Sequence, residues 1–539
     1  MSDILYFDAF TQIGPRARKH PSHAWKLDEV LDEMEHCSIS GALVTSTTSV
    51  SYEPMFSNLE LSERIAGHDH LFAAWNVLPH TTGEFPEPRD LERLMKRAHV
   101  RAVTLHPIAN AWELLAGHNR PLLSHLAKKR VLTILPRSEF RDYRELEALL
   151  VAHPTLPLLV VGAHWAEQRF VLPLMPKYRN LHLSFDKLQG HYVVEFLVAQ
   201  GCEDQLVFAS NAPHMSMGAH RCYIDYADVP IATRRKIAGG NLARLLKGQV
   251  PARMRINQDE DAIMAAARHG RPLPVPVIDM HMHILHEGMH GAGGVCRIEH
   301  GGPKGVIALL ARLGVRGGGF MSWNGVVSAD TLAGNETVRQ TLEAVPKGFW
   351  GLASFDPAHY TQAELAKLIP QVYADTRFIG MKPYHVHGIP YHHASYDVWW
   401  RFGAKHKFYA LIHRTRDDFV EVDALATKYP QVRWVVAHCG ESHHVADLAI
   451  EAMKKHPNVF AEITLTPVTF GVIDYLVEHI GADRVVYGSD LPMRDPRQQL
   501  GWVVFSRLDV AAKKQVLGEN ALRIIAPCLK RLPVFNRPG

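Results

Sequence analysis

Residues 204–213, DQLVFASNAP, return 279 residues later as DRVVYGSDLP at 483–492. The echo is one of several. LPLLVVGAHWAE (156–167) is matched by VRWVVAHCGES (432–442), and VLTILPRS (131–138) by FYALIHRT (408–415). The stretch NLARLL from Asn241 is matched by NALRII from Asn520. Five pairs keep the same order at spacings between 271 and 279: Asp8 with Asp279, Pro136 with His413, His164 with His438, Asn211 with Asp490, and Asn241 with Asn520. A repeat of that period means two homologous units in tandem. Whatever fold this chain adopts, it must adopt twice. The expected division is a first unit over 1–250, a connector over 251–274 and a second unit over 275–539.

Each unit then has about 250 residues, the upper end of a single domain. In the second, eight apolar, strand-like runs follow one another: VIDMH, GGGFMSW, GLASF, FIGMK, YALIH, WVVAH, VFAEI and VVYGS. Helix-like stretches such as AELAKLIPQVY and DDFVEVDALATKY lie between most of them. Eight β–α alternations over that length predict an α/β protein of two tandem (β/α)8 TIM barrels.

The bulk numbers exclude several function classes. A net charge of +4 in 539 residues, without long basic runs, argues against nucleic acid. No uncharged apolar run approaches the ~20 residues a membrane helix needs. Six cysteines, none in a CxxC pair, fit a reducing compartment. The N-terminus, MSDILYFDAF, lacks the basic-then-apolar pattern of a signal peptide. The expectation is a cytoplasmic enzyme with a small-molecule substrate, no membrane and no nucleic-acid partner.

In a barrel of this kind the active site forms where strands end and βα loops begin. The second unit concentrates reactive residues there. The first run ends in His281 and His283, which face one way because strand residues i and i+2 share a side. The fourth ends in Lys382, the fifth in His413, the sixth in His438 and the eighth in Asp490. Each alone has a plain structural reading, a chance His pair or a helix cap. Neutral imidazoles with one carboxylate suit Zn2+ or another borderline divalent ion, and leave room for water. Asp490 can bind metal and take a proton. His438 is suited to acid–base work near neutral pH. Lys382 is either a bridge between two metals, when carboxylated, or a substrate-carboxylate ligand. Tyr384, His385 and His387 lie on the loop after it. Arg414 is an anion ligand or an ordinary ion pair. Trp323 and Phe355–Asp356–Pro357 are placed to line the pocket.

The pieces DMHMH, ALIHRT, VVAHCGES and VYGSDLP, ordered over roughly 275–530, resemble the amidohydrolase superfamily. The likeness is to its amidohydrolase-2 branch, which includes aminocarboxymuconate-semialdehyde decarboxylase. The resemblance implies His281, His283, His413 and Asp490 as ligands of one divalent metal, Zn2+ first and Mn2+ or Fe2+ as alternatives. It implies His438 as the acid–base group, and suggests a homodimer. The expected reaction is metal-assisted hydrolysis of an amide, lactone or C–C bond in a small carboxylated substrate. Non-oxidative decarboxylation of an aromatic or muconate-type acid is the alternative, and a non-catalytic binding or scaffold role the third.

The first unit departs at the ligand positions. Phe10 and Gln12 stand for His281 and His283, Thr104 for Lys382, Pro136 for His413 and Asn211 for Asp490. Only the sixth-strand histidine persists, as His164. The expectation is a degenerate barrel without a metal site, serving a structural role in preference to metal-free lactone opening.

Overall fold

The computed structural model describes residues 3–16, 20–287, 294, 296–414 and 418–532. Thr415, in the ALIHRT motif, lies outside them. The chain divides into two compact units, Met1–Glu260 and Asp261–Gly539. The boundary falls inside the connector expected from sequence. The helix Ala262–Arg268 belongs to the second unit, and its N-terminus is capped by the Asp261 side chain. Among the described residues no helix is long and apolar enough to cross a membrane.

The first unit is a parallel sheet of seven strands in sequential order: β1 (Phe7–Ile13), β2 (Gly41–Ser46), β3 (Leu71–Asn76), β4 (Ala102–Thr104), β5 (Leu132–Pro136), β6 (Leu158–Val161) and β7 (Leu181–Leu183). The eighth position is filled by an extended segment after Leu206. It bridges β7 through Leu183–Leu206 and β1 through Thr11–Ala212. The amides of Ala9 and Gln12 donate to the carbonyls of Phe208 and Ala212, so the sheet closes on itself. Helices cover the outer faces, and the strands are buried on both, as apolar parallel strands require.

The second unit repeats this plan with eight strands: β8 (Val277–Ile284), β9 (Val315–Ser322), β10 (Phe349–Ala353), β11 (Phe378–Met381), β12 (Tyr409–Ile412), β13 (Arg433–Val436), β14 (Val459–Glu462) and β15 (Val485–Val486). All eight runs read from the sequence become strands. The glycine run on β9 is explained by close packing. A Cβ on Gly318 would collide with the Asp279 carbonyl oxygen, and one on Gly317 with that of Gly348.

The duplication extends to individual hydrogen bonds. The Asp8 carboxylate accepts the amides of Phe10 and Ser210, each at 3.0 Å. Asp279 accepts those of His281 and Ser489, also at 3.0 Å. The Asn241 side chain donates to the carbonyls of Glu203 and Leu206 at 2.8 Å. Asn520 donates to Ala482 and Val485 at 2.7 Å. Asn211 and Asp490 share a left-handed backbone, φ 57° and 56°.

Register corrects one pairing. Pro136 is opposite Val161, so the next residue, Gly162, takes the place that His438 takes after β13. Both have positive φ, 77° and 68°. Both amides donate to a carboxylate from the neighbouring strand end, Asp186 for Gly162 and Glu462 for His438. His164 lies two residues further on and caps a short 3-10 turn by accepting the Ala166 amide. The first barrel therefore keeps no histidine at this position.

Replacing Asn520 by alanine should leave two buried carbonyls unsatisfied and cost about 1–3 kcal/mol. Denaturant unfolding checks this. Asn241→Ala should cost a similar amount in the first unit.

Candidate metal centre

Asp279 sets the geometry of the site. By holding the amides of both His281 and Ser489, its buried carboxylate fixes the end of β8 against the segment after β15. Burial pushes its pKa up to about 8. The Asp490 amide then donates to the His281 carbonyl at 2.7 Å, and the His283 amide to that of Leu491 at 2.6 Å. The left-handed turn at Asp490 aims its carboxylate back at the two histidines.

His281 Nε2 lies 3.5 Å and His283 Nε2 3.1 Å from Asp490 Oδ1. These three residues form a buried group whose ligand atoms lie within 4.8 Å of one another. His281, His438 and Glu462 form a second such group. Among the described residues both groups are in the second barrel.

The other ring nitrogens show which tautomers are present. His438 Nδ1 is 2.8 Å from the Thr464 carbonyl, and His413 Nδ1 is 2.7 Å from the Arg414 carbonyl. A carbonyl can only accept, so both rings carry their proton on Nδ1 and leave the Nε2 lone pair free. His281 Nδ1 sits 3.1 Å from Glu462 Oε2, which binds that ring in the same sense. A carboxylate behind a histidine is the usual way to fix a metal ligand's tautomer and orientation. The His438 ring lies 5.2 Å from His281 and 4.8 Å from His413, centroid to centroid. All four sequence-predicted histidines thus gather at one barrel mouth.

Electrostatics keep these rings neutral. Burial lowers the pKa of His281 and His283, and the Lys382 and Arg494 cations push in the same direction. Burial and the neighbouring His281 bring His438 down to about 3. His413 is depressed by burial, His438 and Lys382. Although burial alone would raise it, Asp490 is held well below the usual carboxylate range by Arg494 and the two histidines. Neutral imidazoles and an ionised carboxylate are the forms that bind metal.

Lys382, 1% exposed, has a buried Nζ without a hydrogen-bond partner. Burial lowers its pKa to about 8. Its Nζ lies 5.9 Å from the Tyr384 ring centre, and burial raises that phenol to about 12. Tyr384 and the exposed His385 stand 5.2 and 4.7 Å from the His413 ring. Trp323 packs edge-on against His283 at 5.8 Å. Arg414 is ion-paired with Glu441. Phe355 is packed into a core with Trp399 and Tyr373, and Asp356 binds His359 and His387.

Three participants escaped the sequence reading. Glu462 orients His281, receives the His438 amide and binds both the amide and hydroxyl of Thr464. Thr464 in turn holds the His438 ring. Arg494 pairs with Asp490 and donates to Thr466 at 2.8 Å. The available signal was an acid closing the apolar run VFAE, and an arginine four residues after Asp490.

The group of His281, His283 and Asp490 therefore fits a divalent ion, with two imidazoles and one ionised carboxylate on a barrel mouth, while His413 belongs to neither close group. Comparison with known proteins agrees with this class. The amidohydrolase family profile matches residues 14–248 and again 278–525. The chain belongs to the amidohydrolase family, with the family's pattern present twice. Among curated proteins no sequence match is found. Similar solved structures include an uncharacterized TIM-barrel protein from Bordetella bronchiseptica. It shares 14% identity, over 47% of this chain and 99% of that one, with a TM-score of 0.38. The 5-carboxyvanillate decarboxylase of Sphingomonas paucimobilis also shares 14%, over 47% and 99%, at 0.37. A dihydroxybenzoic acid decarboxylase from Polaromonas, with manganese and 2-nitroresorcinol bound, shares 15%, over 47% and 97%, at 0.36.

Elemental analysis of untagged protein should find about one divalent metal per chain, and His281→Ala should lose it. Glu462→Gln should keep the ring in place yet weaken metal affinity about 10–100-fold. Two metals per chain would instead assign Lys382 to a second ion.

Proposed function

We propose that the C-terminal barrel is a metal-dependent hydrolase that cleaves an amide, lactone or C–C bond in a small carboxylated substrate. The observation that carries this reading is the convergence of His281 Nε2, His283 Nε2 and Asp490 Oδ1 at a buried point. His413 joins them as the fourth ligand. When bound there, a divalent ion, Zn2+ first and Mn2+ or Fe2+ as alternatives, polarises a substrate carbonyl and makes water acidic enough to react near neutral pH.

The chain's own groups do the rest. With Nδ1–H donated to Thr464, His438 can take and return a proton only at Nε2. Glu462 and Asp279 hold His281 and Asp490 in place without touching substrate. The Lys382 Nζ has no hydrogen-bond partner among the described residues, so a substrate carboxylate would satisfy it. Trp323 supplies an apolar wall beside His283. Tyr384 and His385 border the entrance next to His413.

A second reading, decarboxylation, is favoured by one contact. Arg494 holds one oxygen of Asp490, which makes that carboxylate a poor proton acceptor. Decarboxylation needs no water nucleophile, only a proton delivered to carbon, and His438 could deliver it. The first barrel, with Gln12 donating to Asn211 at 2.8 Å where the second has His283 and Asp490, is assigned a structural role.

A panel of carboxylated amides, lactones and aromatic acids separates the two reactions by product. Acid plus amine or alcohol without CO2 supports hydrolysis, whereas CO2 release would overturn it in favour of the second reading. His438→Asn should lower kcat about 10²–10⁴-fold with metal content unchanged. Lys382→Met should raise KM at least tenfold for the carboxylated substrate, and much less for its neutral amide analogue.

A further inference from the structure

The first barrel carries a cavity of 690 Å³ on the face opposite its strand C-termini. Pro157 and Asn180, which line it, directly precede β6 and β7. Leu245 and Lys247, at the end of the last helical segment of the unit, form another wall. The volume suits a small molecule.

Four cations surround this cavity: Arg130, Arg179, Arg244 and Lys247. None takes part in an ion pair among the described residues. Arg179 donates to the Gly201 carbonyl and the Gln205 side-chain oxygen at 3.0 Å. Arg244 donates to the Asp204 carbonyl at 2.7 Å, and Lys247 to that of Lys129 at 2.8 Å. Those partners are all neutral, and Arg130 has none among the described residues. The one acidic residue at the cavity, Asp204, has its carboxylate 3.1 Å from Lys236, outside the ring of four. Elsewhere in the unit acids do hold cations: Glu92 gathers Lys96 and Lys129, and Glu167 binds Arg137.

Like charges converging on a concave surface repel one another and raise the local affinity for an anion. Of the four, Lys247 and Arg130 lie close enough to feel each other's charge. Burial, Arg101, Lys129 and Arg130 all hold the Lys247 pKa below the ordinary lysine value. The His182 ring, 4% exposed, also lines the cavity, and its Nδ1 has no hydrogen-bond partner. Kept neutral by burial and by Arg244, it adds no charge and leaves a polar atom for a hydroxyl to satisfy.

We propose that this face of the first barrel binds a phosphate-bearing small molecule, its phosphate oxygens held by Arg130, Arg179, Arg244 and Lys247. Three arginine forks suit phosphate better than a single carboxylate, because each can offer paired N–H donors to adjacent oxygens. The site is independent of the reaction assigned to the second barrel.

Calorimetric titration of the full chain with inorganic pyrophosphate at low ionic strength tests this. One saturable site is expected, unchanged in His281→Ala and at least tenfold weaker in Arg179→Ala/Arg244→Ala. Arg130→Ala/Lys247→Ala, whose exposed side chains make between them a single hydrogen bond to the fold among the described residues, should show the same loss if the first pair fails to fold. The proposal is overturned by absence of saturable binding, or by undiminished binding in a folded double variant. Loss of binding in His281→Ala alone would also overturn it, by placing pyrophosphate at the other barrel. So would a short single-stranded oligonucleotide binding more tightly than pyrophosphate, which would make the surface a nucleic-acid contact.

Discussion

A buried aspartate near the start of the first strand holds each barrel closed. Asp8 and Asp279 each accept two amides, one from their own strand and one from the eighth segment. Without that carboxylate the first and last strands would meet only through a few ladder bonds at a sharp turn. A carboxyl oxygen accepts hydrogen bonds in either protonation state, and here it serves two otherwise unsatisfied buried donors. Both carboxylates resist ionisation because they are buried, Asp8 at about 6 and Asp279 at about 8. Asp279 has the higher value partly because Glu462 is nearby. The second barrel thus tolerates an extra acid at its closure, and that acid is the one orienting His281.

Because closure does not depend on the ligand positions, the chemistry could be lost from one copy without losing the fold. In the first barrel the apolar strand cores, the clasp at Asp8 and the double hydrogen bond of Asn241 all persist. At the mouth, Gln12 and Asn211 join first strand to eighth by a neutral amide hydrogen bond. In the second barrel the same two positions hold His283 and Asp490. An amide pair costs little to bury when satisfied, whereas an imidazole–carboxylate cluster must be tuned by second partners. The first copy keeps an acid in the place of Glu462, Asp186 accepting the Gly162 amide, but its β6 end carries a glycine where the second places a histidine in a left-handed turn.

How much of this the sequence revealed follows from which signals are periodic. The repeat, the eight runs and the strand-end histidines are legible because strand position fixes both spacing and direction. The pairing of His164 with His438 misled, because identity of residue type outweighed register. The backbone at that point needs positive φ, which glycine adopts freely and histidine rarely does. A glycine was thus the better guide to the equivalent position. Glu462 and Arg494 stayed hidden for another reason. Their roles depend on what lies across the barrel, some 180 residues away for Glu462 and His281. An acid at the end of an apolar run looks the same whether it faces solvent or a histidine. Phe355 shows the converse, since its strand-end position was legible but its packing against Trp399 was not.

The cations at the mouth give the site its chemical character. Lys382 and Arg494 sit among four imidazoles and the carboxylates of Asp490 and Glu462, and both cations disfavour protonation of the rings. Asp490 and Glu462 pull the rings towards protonation, but burial and the two cations outweigh them. The imidazoles therefore present lone pairs at neutral pH while Asp490 stays ionised. The same positive charge is what a carboxylated substrate would need on arrival. Arg494 is tied to Asp490, and Lys382 Nζ has no hydrogen-bond partner among the described residues, so the lysine is the cation available to an incoming anion. In the proposed reading, metal affinity and substrate charge are set by one electrostatic choice. A variant that removes either cation should therefore alter how the rings titrate as well as what they bind.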